Sequence, residues 1–334
     1  MTILRAGLHT TIQDGGRYGY QRHGVPPGGA VDHVAFRLAN ILVGNDPNEG
    51  ALELTLSGPA IRFDHSVLIA LCGGDFAPTI DGEAVPLRRP VVIEAGRVLS
   101  CAHARAGARG YLAIAGGIDI PPVLGSLSTT PVASLGGLEG RALRAGDTIP
   151  LRRTEMKKIV AGSNEWIGRG NGFSHARWGI WPGALPHYSA HPSLRIVAGE
   201  WLDRLAPQAR TRFLEGIFTV SSRSDRIGSR LNGPRIDPPP AEMLLSEGTA
   251  TGAIQLPSDG NPIILLNDHG TTGGYPVIAH VIFADLPLLA QVPPGGTIRF
   301  ELVPLADAWT LHQQQTLILR RLSHLLSVIS VSLW

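Results

Sequence analysis

Three stretches concentrate residues that could do chemistry. The first, "TIQDGGRYGYQRHGVPPGGAVD" (Thr11–Asp32), sets Gln13, Asp14 and Arg17 around Gly15 and Gly16. Glycines let a backbone pass close to a ligand or take positive φ, so an amide, an acid and a guanidinium could line one pocket. The same residues would equally serve a β-turn with an Asp14–Arg17 ion pair. The second, "SSRSDRIGSRLNGP" (Ser221–Pro234), crowds Asp225 with Arg223, Arg226 and Arg230. Such a cluster can hold a carboxylate, carbamate or phosphate through charge-assisted bonds, or brace a strand-to-loop corner as an ion-pair network.

The third, "GAIQLPSDGNPIILLNDHGTTGGYP" (Gly252–Pro276), carries Gln255 and then an apolar run, "PIILL", that delivers Asn267, Asp268 and His269 to its C-terminal end. Thr271, Thr272, Gly273, Gly274 and Tyr275 follow, offering hydroxyls and backbone N–H groups to an anion or an amide. An aspartate at a strand end before a glycine-rich loop suits an acid or base. His269 reads more simply as a surface-loop histidine than as a catalyst. No lysine follows the glycines in a GxxxxGK[ST] frame, so this is not a phosphate loop. With no HExxH, no paired CxxC and scattered histidines, no metal site is expected.

Short segments must position these stretches. "HSVLIALCGG", "VVIEAG", "GYLAIAGGI", "LRIVAGE", "GIFTVSS", "NPIILLND", "PVIAHVIFAD" and "GTIRFELV" read as strands between Gly, Pro and Asp punctuation. Strands recurring at about ten-residue spacing predict an all-β barrel or sandwich. Three helices interrupt them: "DHVAFRLANILVGN", with Asp32 as N-cap and Gly44 as stop; "GEWLDRLAPQARTRFLEG", with acids early and arginines late; and "DAWTLHQQQTLILRRLSHLL". The polar, basic segment 156–190 reads as a connector between a domain spanning 1–155 and another spanning 191–305, with a helical tail over 306–334. The echo between "LELTLSGPAIRF" and "IGSRLNGPRI" suggests two related halves.

Composition narrows the function classes. The chain has 334 residues and a formal charge of +2, which gives no electrostatic footprint for nucleic acid. Its 41 glycines and 26 prolines suit tight turns better than a helical bundle. Cys72 and Cys101 sit in apolar strand-like settings, which reads as two buried thiols in a reducing compartment. The start "MTILRAGLHTTIQDGG" has no signal-peptide pattern, and no apolar run is long enough to span a membrane, so a cytoplasmic location is expected.

The residues quoted above, with "RLANILVGN", "YLAIAGGIDIPPVLGS", "GLEGRALRAGD" and "ADLPLLAQVPPGG", closely resemble the carboxyltransferase domain of the C-subunit type over residues 3 to about 305. That family includes the C subunit of bacterial 5-oxoprolinase, KipA, allophanate hydrolase subunit 2 and part of urea carboxylase. The resemblance implies a mainly β chain of two cyclophilin-like β-barrel domains with a few short helices. It also implies two partner subunits, one of KipI type and one of LamB/YcsF type. Such a complex would be a hydrolase that opens 5-oxo-L-proline to L-glutamate, with ATP used at the level of the complex and this chain inactive alone. Asp14 and Asp268 would then move protons, while Arg226, Thr271 and Thr272 would stabilise an oxyanion. Gln13, Arg17, Arg223, Asp225, Gln255, Gly273, Gly274 and Tyr275 would complete the substrate site.

Two alternatives stay open. One is biotin-dependent carboxyl transfer, although no biotin-accepting Met-Lys motif occurs in the chain. The other is a KipA-like regulator that binds a KipI-type kinase inhibitor. The sequence departs from the family at His269-Gly270, where Arg-Gln is usual, and in the tail after about residue 305.

Overall fold

A computed structural model describes residues 1–153, 167–181, 186–239 and 244–332. The chain forms two compact units. The first comprises Met1–Gly16, Asp32–His187 and Leu317–Trp334; the second comprises Arg17–Val31 and Tyr188–Thr316. All eight strands anticipated from the sequence occur, and the chain is mainly β.

The first unit opens with β1 (Thr2–Arg5) and β2 (His9–Gln13), followed by helix α1 (His33–Leu42). Then come β3 (Ala51–Thr55), β4 (Ala60–Arg62), β5 (Val67–Asp75), β6 (Thr79–Ile80) and β7 (Glu83–Ala84). Strands β8 (Val91–Ile93), β9 (Val98–Ser100), β10 (Ala106–Ile114), β11 (Ile167–Gly170) and β12 (Phe173–Ala176) complete it. They form a five-stranded sheet, β1-β4-β9-β6-β7, and a seven-stranded sheet, β11-β12-β8-β5-β10-β3-β2. Side chains alternate across a strand, so β3, β5 and β10 each have two faces to bury. Leu52, Leu54, Ile69, Leu71, Leu112 and Ile114 meet Ile3, Ile61, Ile80 and Leu99 of the other sheet in one core. The opposite face, with Ala70 and Tyr111, packs under α1. Burial on both faces explains why β5 reads as an unbroken apolar run. The side chain of Asp32 caps α1 by accepting from the Ala35 N–H at 2.9 Å.

Strands β11 and β12 fall within the segment expected to be a connector. β12 instead pairs with β8, so 167–176 is sheet of the first unit. Residues 156–166 and 182–185 of that segment lie outside the described residues.

The second unit contains β13 (Ser193–Ala198), α2 (Pro207–Glu215), β14 (Phe218–Val220), β15 (Gly228–Asn232) and β16 (Glu247–Gly248). It continues with β17 (Ala253–Gln255), β18 (Ile263–Leu265), β19 (Thr272–Gly273), β20 (Val277–Val281), α3 (Leu286–Ala290) and β21 (Thr297–Leu302). Seven of these strands close into a barrel, β13-β20-β17-β18-β15-β14-β21, with β21 returning parallel to β13. Leu194, Ile196, Phe218, Leu231, Ile254, Ile264, Ile278 and Phe300 fill it. A separate two-stranded ribbon pairs β16 with β19.

The helix expected over "GEWLDRLAPQARTRFLEG" divides into a 3-10 turn, Leu202–Arg204, and α2. Pro207 starts α2, and Ala206 before it is extended, at φ −56° and ψ 145°. Proline disfavours helical geometry in the preceding residue, so the break falls there. The C-terminal helix α4 runs from Leu305 to Ser332, longer than the pattern suggested. The sequence echo corresponds to β3 before Gly58-Pro59 and β15 before Gly233-Pro234.

Candidate functional site

The opening loop divides between the units. Gln13 and Asp14 belong to the first, where they meet the buried segment Ser126–Thr130. The Asp14 carboxylate accepts from Ser126 Oγ at 2.6 Å, Ser128 Oγ at 2.5 Å, Leu127 N at 2.6 Å and Gly16 N at 2.8 Å. Gln13 Nε2 donates to Thr11 Oγ1 and to the Thr129 carbonyl, while its Oε1 is buried without a hydrogen-bond partner. A carboxylate holding four donors is a knot tying β2 to a distant loop rather than an exposed base.

Arg17 onward belongs to the second unit and folds against the end of the "PIILLND" strand. The Arg17 N–H donates to Pro27 O at 2.7 Å, and the Arg17 side chain is buried. Gly28 N donates to Asn267 O, and Asn267 Nδ2 donates to the carbonyls of Gly29 and Ala30. Gly28 and Gly29 have φ of 63° and 90°, a turn that aims their peptide groups at Asn267 and Arg226 and that side chains disfavour. Arg226 Nε and Nη2 clasp both oxygens of Asp268 at 2.9 and 3.0 Å, and Nη2 also reaches Gly29 O at 2.7 Å. Arg226 is 6% exposed and Asp268 3%.

The crowding expected between Asp225 and three arginines does not form. Asp225 Oδ1 accepts from the N–H groups of Ile227 and Gly228, closing a local turn. Arg223 and Arg230 are exposed; only Arg226 turns inward, to Asp268. A short aspartate satisfies nearby amides more readily than it reaches long side chains.

A cleft of about 440 Å³ lies on the barrel's outer face, within the size range of small-molecule sites. Its floor follows from strand alternation. Ile254, Ile264 and Leu231 point into the core, so Gln255, Ile263, Leu265 and Arg230 face outward. Register sets Arg230 opposite Ile263, and Ile263 opposite Gln255. Thr249, Gly270, Thr272 and Tyr275 form one wall; Pro257, Ser258 and Asp259 form another. Of the sequence candidates, Gln255, Thr272 and Tyr275 line this cleft. Thr271, Gly273 and Gly274 lie in the loop that builds its wall, and Arg223, Asp225, Arg226 and Asp268 do not line it.

His269, at 2% exposure, places Nδ1 at 3.0 Å from Thr249 Oγ1 and 2.7 Å from Gly270 O. Thr249 Oγ1 also donates to Gly270 O. Burial lowers the His269 pKa, offset in part by the Gly270 carbonyl and Asp268. The imidazole is therefore neutral at neutral pH and supports the wall. Thr249, Ser258, Asp259, Ile263 and Leu265 were not among the residues singled out by sequence. The alternation of β17 and β18 was the available signal: it leaves apolar Ile263 and Leu265 on the outer face of a barrel.

The profile described as "Carboxyltransferase domain, subdomain A and B" matches residues 23–302. The chain belongs to this family. Among carboxyltransferase-domain relatives, the C subunit of 5-oxoprolinase from Escherichia coli strain K12 is 39% identical over 94% of this chain and 95% of its own length. "Urea amidolyase" of Saccharomyces cerevisiae is 35% identical over 96% of this chain but only 17% of its own. The crystal structure of K. lactis urea amidolyase superposes with a TM-score of 0.85 and 30% identity, covering 96% of this chain and 20% of that one. This carboxyltransferase-domain chain thus spans nearly all of the first relative and about a fifth of the solved structure.

Proposed function

We propose that this chain is the C subunit of an ATP-dependent 5-oxoprolinase, a hydrolase complex that opens the ring amide of 5-oxo-L-proline to L-glutamate. One observation carries the reading: the match to the C subunit of 5-oxoprolinase runs almost end to end in both proteins. Its partners in this reading are one protein of KipI type and one of LamB/YcsF type, and the complex works in the cytoplasm. An unstrained amide resists attack by water; phosphorylation of its oxygen would activate the ring carbon, so that water adds, the C–N bond breaks, and the resulting acyl phosphate is hydrolysed to glutamate and phosphate. In this reading ATP is used at the level of the complex; the chain itself holds no GxxxxGK[ST] loop.

The outer cleft is the site through which the chain contributes. Gln255, Thr272 and Tyr275 meet the substrate there, with Thr271, Gly273 and Gly274 shaping the loop. Asp268 acts as a positioning residue for the loop that follows it, because its carboxylate is already clasped by Arg226, whereas Asp14 braces the first unit. Gln13, Arg17 and Arg226 support them; Arg223 and Asp225 take no substrate contact. Co-purification with the KipI-type and LamB/YcsF-type partners, followed by an assay of ATP- and oxoproline-dependent glutamate release, tests the reading. Release by the complex and none by the single chain is expected. A pure, assembled complex that consumes no oxoproline would overturn it.

The superposition on urea amidolyase favours a second reading, carboxyl transfer with biotin supplied by a separate carrier. Inhibition of the assembled activity by avidin would select it, and indifference to avidin would reject it.

A further inference from the structure

The outer face of the second unit's barrel holds a donor with nothing to bind. Gln255 is 6% exposed and lines the cleft, yet its Nε2 has no hydrogen-bond partner. Native proteins rarely leave a buried amide donor unpaired, and such groups call for a ligand or water. Its Nε2 packs against the neighbouring ribbon, where a β-carbon on Gly273 would crowd it.

A second group in the same cleft is also uncommitted. Arg230 is exposed and forms no ion pair among the described residues. Asp225, the nearest acid in sequence, turns to the amides of Ile227 and Gly228. Asp259, the acid that lines the cleft, accepts from Asn261 N. Arg230 and Gln255 stand on β15 and β17 with β18 between them, through the register Arg230–Ile263–Gln255. Two strand spacings put their Cα atoms about 10 Å apart. Ile263 and Leu265 give the cleft an apolar floor.

We infer that Gln255 and Arg230 form a two-point specificity contact for a small cyclic amide carrying a carboxylate. Gln255 Nε2 donates to the ring carbonyl oxygen, and the Arg230 guanidinium pairs with the carboxylate. Ligands lacking either group lose one anchor. The inference deepens the oxoprolinase reading and rests on it for the choice of probe.

Three probes separate the anchors: 5-oxo-L-proline, L-proline without the carbonyl, and 2-pyrrolidinone without the carboxylate. Titration calorimetry on the full chain and on the assembled complex measures each. The wild type should bind 5-oxoproline at least about tenfold tighter than either fragment, as one lost hydrogen bond or ion pair implies. Gln255→Leu should erase the preference over proline, and Arg230→Gln the preference over pyrrolidinone. Gln255→Leu should melt no lower than wild type, because it removes an unpaired buried donor; exposed Arg230→Gln gives an arm free of folding effects. Preferences unchanged in both variants, or no binding of any probe by wild-type chain or complex, would overturn the inference. Unaltered KM for oxoproline in both variant complexes would also overturn it while leaving the oxoprolinase reading standing. A wild-type complex that shows these preferences yet releases no glutamate would support the cleft and defeat that reading instead.

Discussion

Arg226→Met should destabilise the second unit severely, and Asp268→Leu should restore much of the loss. The pair is bidentate, at 2.9 and 3.0 Å, with side chains 7% and 2% exposed. Removing the guanidinium leaves a carboxylate buried without its cation, a change that costs about 3–5 kcal/mol. The lost bond to Gly29 O adds about 1 kcal/mol and loosens the turn at Gly28-Gly29. Replacing both partners by apolar groups of similar shape is far cheaper, because the desolvation cost of both charges disappears. The double variant should therefore recover most of the charge penalty and leave the Gly29 term. Guanidinium unfolding followed by circular dichroism would measure the four corners of this cycle, and limited proteolysis would report release of the 17–31 loop. A single-variant loss below about 1 kcal/mol, or a double variant as unstable as Arg226→Met, would refute the bracing role.

Asp14→Ala should cost about 3 kcal/mol or more in chemical denaturation, since Ser126, Leu127, Ser128 and Gly16 all lose a charged acceptor; a loss under about 1 kcal/mol would contradict the knot. Burial lowers the pKa of both His269 and His280, so the unfolded chain binds more protons than the folded one once pH falls below about 6.5. Stability should be fully present above that pH and decline as pH falls below about 6.5. His280→Gln should flatten the decline, and a slope unchanged in that variant would count against the histidine origin. Burial pushes the thiols of Cys72 and Cys101 up to about 12, so neither should react with iodoacetamide at about pH 8 until denaturant is added. Rapid labelling of the native chain would show that one of them is accessible.

Local patterns alone were enough for much of this protein. The β-branched runs between Gly, Pro and Asp punctuation marked eight strands, because strand propensity and turn chemistry are written in neighbouring residues. Asp32 announced the start of α1, and its side chain caps that helix. Ordered motifs identified the family. Gln255, Thr272 and Tyr275 were also legible as part of one polar, glycine-rich stretch, and they do share a cleft.

What the patterns could not assign was the partner of each charged group. Asp14, Asp225 and Asp268 all lie in polar, glycine-containing stretches, yet one gathers serine hydroxyls, one closes a turn and one clasps Arg226, 42 residues away in sequence. Those choices depend on which strands become neighbours, and pairing across a sheet joins residues remote in the chain. The cleft has the same origin. Arg230, Gln255 and Ile263 come from three strands, and only barrel closure puts them side by side on one face. Sequence determined most of the local elements; the tertiary structure decided which donors were spent on the fold and which, at Gln255, was left without a partner.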